Sequence, residues 1–470
     1  MSRNGESTIM NSKVLQSLIL LFTFLGLHGD GYSQKLYSSS PSGSNVFVFD
    51  ITDNSIKQLG LLNSVNIGQP IGNLVHIGNG EFIGITVQSP NLYGAIYKTD
   101  TSGSAVQLLY EFTNNNTATS SFVRADNGKL YCLGNTGTNN ESAIYSFDPS
   151  TKVYIKEYEI TGKAGTARLG GMIQANNGIL YGVTSSGGVD DKGRIFSYTT
   201  SSKSFTTLYE FSNATGTNPA AAMIQGANGL LYGVTSYGGA NDKGVIFSFD
   251  ISAKRYSKLY DFVQLTGETP ASPLYQASDG KLYGTTMTGG SNYQGVLYSF
   301  DLSTNTYTNL HNFFASEGYG PRIPPIEGVH GVLYGTTNQG GAKFRGSIYK
   351  FEVESSTFTK LIDGDNTTAG NFVSPFFKFP TGTSAVVESK TLIAPVQVFP
   401  NPASDELYLI SCNEGDIYQV FNQQGQQVQT GKLSGNTQVS VRDLPDGVYT
   451  IQVVRTDNRA SQSERFIKCR

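Results

Sequence analysis

Tryptophan is absent from the 470 residues, cysteine occurs three times and histidine four times. Charged residues make up 15% of the chain, against roughly a quarter in an average soluble protein. Lys and Arg number 33 against 36 Asp and Glu, a net charge of −3. That balance supplies no electrostatic footprint for nucleic acid or an anionic membrane. Cys132, Cys412 and Cys469 are too few for a disulfide framework or a zinc site of paired cysteines. Cys412 and Cys469 share the C-terminal segment, where they either pair in an oxidising compartment or stay as thiols. The histidines, at 28, 76, 311 and 330, are never closer than 19 residues, and no HExxH or G-x-S-x-G motif occurs. Neither a catalytic group nor a metal or cofactor site is expected.

Long apolar runs are also scarce. Val14 to Leu27 is apolar, follows Arg3 and Lys13, and leads into the small, polar stretch His28 to Gln34. This is the order of a secretory leader over residues 1–33. The run falls short of the ~20 residues a membrane span needs, although a short anchor is the alternative, and Met10 is a second possible start. No other segment is expected to cross a membrane.

Glycine, by contrast, is abundant at 54 residues, and Tyr and Phe number 27 each. They recur in a pattern. ILYGVTSSGG, LLYGVTSYGG, KLYGTTMTGG and VLYGTTNQGG place tyrosines at 181, 232, 283 and 334, a constant step of 51. Weaker copies at Tyr131, Phe82 and Tyr37 bring the number to seven. The unit beginning at Ala220 breaks into four short strands: AAAMIQG, LLYGVTS, VIFSFD and YSKLYDF. Asn228-Gly229 and its counterparts Asn177-Gly178 and Asp279-Gly280 form the first turn, where positive φ angles are expected. The double glycine forms the second. Apolar residues on both faces of the first two strands predict a sheet covered on both sides.

The phase of the repeat predicts how such sheets are arranged. The first copy, at Lys35, begins with a second strand, and Asn371 to Phe379 reads as a first strand with nothing after it. Completing the opening sheet with this trailing strand removes the exposed edges of a linear array. The expected fold class is therefore all-β: a seven-bladed β-propeller over 35–379, closed by a C-terminal strand completing blade 1. The run L-Y-G-x-T-x-x-G-G-x-x-x-x-G-x-[IL]-[FY]-x-[FY] over Leu169 to Phe351 resembles the GloVer repeat of bacterial secreted proteins, kelch-like in layout. Cys132 stands where that family has glycine. The resemblance implies a propeller in an envelope or extracellular setting, and no established activity.

Residues 380–394 break the repeat and read as a linker. From 395 to 470 short alternating strands predict a small β-sandwich. Pro400-Asn401-Pro402, Leu444-Pro445-Asp446-Gly447-Val448-Tyr449 and a basic tail with Lys468 resemble the type A C-terminal sorting domain of the type IX secretion system. The resemblance implies that the secretion machinery is a partner and that the protein reaches the outer-membrane surface or the exterior via the periplasm.

Within the repeats, acids at 190, 191 and 242 are too few for the six to eight oxygens of calcium. Glu111, Glu159, Glu210 and Asp261 recur at the blade spacing and read as rim decoration. His311 takes the place of Tyr260 and Tyr209, as an aromatic stand-in. Recognition is expected instead where the loops after the double glycine meet the blade-linking loops. The residues that break the repeat there are Arg168, Tyr237, Glu268, Tyr293, Tyr319, Arg322, Phe344 and Arg345. Tyrosines beside arginines suit a glycan, peptide or protein ligand. The reading that follows is a secreted, monomeric, non-enzymatic binding scaffold. The alternative is an extracellular glycosidase or lyase, which requires convergent acids at the axial mouth.

Overall fold

The computed structural model describes residues 35–40, 45–62, 68–87, 93–101, 106–113, 118–135, 142–160, 170–219, 221–365, 376–378, 397–399, 406–410, 416–422, 426–433, 438–454 and 461–468. The expected leader, the linker, Arg168, Pro400 to Pro402, Cys412 and Cys469 lie outside them. The chain divides into two compact units, Met1–Val386 and Val387–Arg470. Both are all-β, built from small antiparallel sheets.

In the first unit the described residues form seven sheets: six are meanders of four main strands, and the first is a three-stranded meander joined by Phe377–Lys378. The fifth sheet is representative. Ile224–Gln225 pairs with Leu231–Thr235, which pairs with Val245–Asp250, which pairs with Arg255–Asp261. Strands one and three run the same way. The turns between strands one and two and between three and four therefore lie at one end of the sheet. The double-glycine loop and the sheet-linking loop lie at the other. The inner strand is shorter than expected: of AAAMIQG only Ile224–Gln225 makes ladder bonds, and Tyr275–Gln276 does the same in the sixth sheet. Small residues there bring backbone close to backbone, as where an added Cβ at Gly171 meets Ala222 Cβ at 2.7 Å. The sixth sheet gains Glu268–Pro270, which pairs with Leu282–Thr288.

The first turn also corrects the expected conformation. In Gly226-Ala227-Asn228-Gly229 only Gly229 has positive φ, 83°. The asparagine works through its side chain instead. Asn228 Oδ1 accepts from Leu230 N at 3.3 Å, and its Nδ2 donates to Tyr232 Oη at 2.8 Å. Asn177 and Tyr181 repeat the contact, and in the sixth sheet Tyr283 Oη donates to Asp279. The recurrent tyrosine is thus tied to the turn four residues before it.

Alternation sends Leu231 and Tyr232 to opposite faces, and both are buried. Leu231, Val245 and Phe247 pack against Val183 and Ile195 of the fourth sheet. Tyr232, Val234 and Ile246 pack against Leu282, Val296 and Tyr298 of the sixth. One such cluster joins every consecutive pair of sheets. Another joins Tyr334 and Ile348 of the seventh to Leu36, Phe47 and Phe49 of the first. In the first sheet Phe377–Lys378 lies beside Lys35–Ser40, pairing Tyr37 with Phe377 and Leu36 with Lys378.

Two further ties cross the junctions. At the outer strands Tyr209 stacks on Tyr256 (4.2 Å, 3°), Tyr260 on Tyr307 (4.3 Å, 3°) and His311 on Phe358 (3.9 Å, 1°). His311 is the aromatic stand-in the repeat implied, and it also bonds Glu317. At the inner strands, Oε1 of Gln174, Gln225 and Gln276 accepts a backbone N–H from the preceding sheet's turn, that of Asp126, Asn176 and Ala227 respectively, at 2.8–2.9 Å. Each amide then donates to its own turn, at Gly178, Gly229 or Gly280. Glu327 fills this place in the seventh sheet, accepting from Ser278 N at 2.9 Å and Gly331 N at 2.7 Å.

Gly182, Gly233 and Gly284 lie under the rings of Phe196, Phe247 and Tyr298, where a Cβ would meet ring atoms at 2.4–2.5 Å. Cys132 occupies this place in the third sheet, and the facing Tyr145 reaches Asn135 O instead. The thiol is fully buried, and burial pushes its pKa up to about 12, so it is inert at neutral pH.

The second unit has a three-stranded sheet of Gln397–Phe399, Glu406–Ile410 and Gln438–Ser440. Its four-stranded sheet comprises Gln427–Lys432, Ile417–Phe421, Gly447–Val454 and Ser461–Lys468. Leu407 and Val439 of one sheet share a cluster with Val420, Tyr449 and Ile451 of the other. Tyr449 Oη donates to Pro445 O at 2.8 Å, Leu444 packs on the same cluster, and Lys468 is buried.

Two outcomes are expected. Tyr298 Oη is buried with no hydrogen-bond partner among the described residues, where Phe247 serves in the neighbouring sheet. Tyr298→Phe should therefore leave stability unchanged or raise it by about 1 kcal/mol in chemical denaturation, and a loss beyond that would contradict the packing. Glu327 is opposed by burial, but the N–H groups of Gly331 and Ser278, the Ser278 hydroxyl and His330 hold its carboxyl below the usual range. Its stabilisation is present above the unfolded-state value and is lost as pH falls through the folded one. As pH falls below about 5, the melting temperature of wild type should then decline more steeply than that of Glu327→Gln.

Candidate functional site

The double-glycine loops are built on a common frame. In the fifth sheet Gly238 and Gly239 both have positive φ, 74° and 80°, which a side chain rarely adopts. Ala240 N donates to Asp261 Oδ1 at 2.7 Å, from the end of the outer strand. Val189 to Glu210, Ser291 to Asn312 and Ala342 to Asp363 repeat this bond 21 residues apart. Glu210 and Asp261, read from sequence as rim decoration, are therefore loop anchors. Their 21-residue spacing in each repeat is the signal that marks them. The segments that link the fourth, fifth, sixth and seventh sheets are bonded to the loop of the sheet before, with Asn218 N to Lys192 O, Thr269 N to Lys243 O and Gly320 N to Gln294 O at 3.0–3.2 Å.

On this frame one position stands apart. Asp191, Asp242, Tyr293 and Phe344, the third residue after the second glycine, all have φ between 55° and 58°. In the fourth and fifth sheets the aspartate closes the loop: Asp191 Oδ1 accepts from Gly187 N at 2.7 Å and Asp242 Oδ1 from Gly238 N at 2.8 Å. These acids, set aside as calcium ligands, are turn caps. Tyr293 and Phe344 carry no carboxylate to make this bond. A left-handed backbone at a bulky residue costs roughly 1–2 kcal/mol, yet the rings stand 61% and 80% exposed.

The other expected residues divide. Tyr237 is exposed in its loop. Glu268 is committed to the frame, 2.6 Å from Lys243 Nζ. Tyr319 is half-buried against the core between the sixth and seventh sheets, and its backbone bonds Gln339 in both directions. Arg322 is exposed and Arg345 half-exposed, and neither makes an ion pair among the described residues. Gly320 N donates to Gln294 O and Tyr319 N to Gln339 O, so the segment carrying Arg322 is clamped between the loops carrying Tyr293 and Phe344.

The structure brings together one group that sequence did not indicate. At the opposite end of the sheets Ser278 Oγ lies 2.7 Å from Glu327 Oε1 and 2.8 Å from His330 Nδ1. Glu327 is spent on two backbone N–H groups, so the cluster is the seventh sheet's version of the glutamine tie. No group of three or more His, Cys, Asp or Glu side chains able to hold a metal occurs among the described residues. No helix among them is long and apolar enough to cross a membrane.

Small antiparallel sheets, four of which share one loop frame with variable tips, make this a repeat protein of propeller-like build. The family model described as the Gloeobacter/Verrucomicrobia repeat matches residues 118–324 and 275–383, over half of the chain, and the chain belongs to that family. Residues 397–468 match the secretion system C-terminal sorting domain. Such a tail implies export by the type IX machinery to the cell surface or beyond. No curated protein matches the chain by sequence. Among solved structures, a Lactobacillus plantarum protein is similar in fold, at 12% identity and TM-score 0.52 over 74% of this chain and all of its own. PorZ, an essential surface component of the type-IX secretion system of Porphyromonas gingivalis, aligns at 14% identity and TM-score 0.34 over 93% and 74%. The β-propeller domain of the Trilobed protease from Pyrococcus furiosus aligns at 13% and 0.43 over 69% and 88%.

The cap at Asp242 is open to test. Asp242→Ala should cost about 1 kcal/mol in urea denaturation, through the lost acceptor and the left-handed backbone. Asp242→Asn, which keeps an acceptor and tolerates that backbone, should lie within about 0.5 kcal/mol of wild type. Equal effects of the two would remove the cap from the account.

Proposed function

We propose that the chain is a secreted, non-enzymatic binding scaffold: a closed seven-bladed propeller over 35–379 carried outward by a small β-sandwich over 395–470, after removal of a leader over 1–33. The pairing of Tyr37 with Phe377 and the cluster joining the seventh sheet to the first support closure. The observation that carries the function is the division of labour in the loops. Glycines and outer-strand acceptors recur and build the frame, whereas the residues held outward, Tyr237, Tyr293, Arg322, Phe344 and Arg345, differ from sheet to sheet. A rigid frame with variable tips is how recognition surfaces are made. Glu268 and Tyr319 serve that surface by fixing the linking loops.

Export rests on the second unit, where Leu444, Pro445, Gly447, Tyr449 and Lys468 belong to its folded body. Deletion of residues 397–470 should leave the protein in the periplasm of a type IX-competent host, read by fractionation and surface proteolysis. Normal surface delivery of the truncation would end the sorting assignment. Incubation with pooled polysaccharides should release no new reducing or unsaturated ends, and turnover would replace the scaffold by a carbohydrate-active enzyme.

A further inference from the structure

We infer that the loops of the sixth and seventh sheets form a subsite for an acidic polysaccharide, a chain of uronate-bearing sugar rings. This rests on the binding-scaffold reading above and names its ligand class. The first observation is conformational. Tyr293 and Phe344 occupy the backbone position at which the fold's own solution is aspartate, with φ of 58° and 56°. They forgo the cap that Asp191 and Asp242 make. In return each loop presents one ring to solvent, 61% and 80% exposed, on a backbone pinned by Asn312 or Asp363. Neither side chain carries the carboxylate that closes the loop at Asp191 and Asp242, so the return is sought outside the chain.

The second observation is chemical. Each ring is followed by a polar side chain, Gln294 after Tyr293 and Arg345 after Phe344. A protein-docking patch gathers apolar side chains into a contiguous core. Here single rings stand on separate rigid loops among hydrogen-bonding groups. A pyranose matches this pattern, because its C–H face is apolar and its edge carries hydroxyls.

The third observation is charge. The acids of this region are engaged: Glu268 with Lys243, Glu317 with His311, Asp363 with Lys360, and Asp365 with Lys343. Arg322 and Arg345 make no ion pair among the described residues. Arg345 follows Phe344 in its loop and Arg322 lies on the segment between the two loops, and an arginine fork binds a planar carboxylate with two parallel bonds. The linking segment, bonded to Gln294 O and Gln339 O, fixes Arg322 between the two loops.

The test is affinity electrophoresis of the full chain in gels containing polygalacturonate or, in parallel, neutral dextran. Polygalacturonate should retard the wild type and dextran should not. Tyr293→Asp and Phe344→Asp install the residue that the fold uses at this position. Each should melt at or above the wild-type temperature yet bind polygalacturonate at least tenfold more weakly. Arg345→Gln should weaken it severalfold in low salt and much less in high salt. Retention of binding by both aspartate variants overturns the subsite. Equal retardation by dextran overturns the acidic class. Absence of retardation in either gel overturns the glycan inference and leaves the scaffold reading standing. Cleavage of polygalacturonate by the wild type overturns the scaffold reading itself.

Discussion

A four-stranded sheet with apolar side chains on both faces has no stable existence alone, because neither face can meet water. That constraint governs the repeat unit. Leu231 and Tyr232 point in opposite directions from one strand and are both buried, and each needs a neighbouring sheet to cover it. The fourth, fifth and sixth sheets meet this need from both sides, and the seventh meets it by packing on the first. The aromatic stacks at the outer strands and the glutamine ties at the inner ones add direction to a contact that burial alone leaves non-specific. A stack such as Tyr260 on Tyr307 fixes how two sheets are turned. A tie such as Gln276 to Ala227 N fixes how far one has slid along the other.

Because the packing is settled by the repeated residues, the loops at one end are free of it. Their own geometry is determined by glycines at positive φ and by outer-strand acceptors. What remains is a small set of positions whose side chains serve neither core nor frame. Tyr293 and Phe344 are the clearest, since the local physics prefers aspartate there. Tyr319 shows the opposite outcome. It breaks the repeat as they do, but its ring lies against Gly340, where a Cβ would meet it at 2.8 Å, and it became part of the wall.

The second unit obeys a different economy. Its two sheets enclose one shared cluster, with Tyr449 bridging from core to the Pro445 carbonyl. Of the described residues that resemble a sorting signal, Tyr449 and Lys468 are buried in the unit, whereas Pro445 is exposed.

Much of this was legible in order and spacing. A step of 51 residues, Gly-Gly at one turn and Asx-Gly at the other, and alternation in each strand determined four-stranded meanders by themselves, since each is a local consequence of backbone and period. The copy that starts on a second strand likewise pointed to the pairing of Phe377 with Tyr37. Tertiary structure decided what depends on contacts between distant residues. It made Glu210 and Asp261 anchors, committed Glu268 to Lys243, and brought Ser278 beside His330. It also revealed that Tyr293 and Phe344 hold a left-handed backbone. Periodicity reports which positions are equivalent. Only the folded chain shows which of them carry strain and which are left facing water.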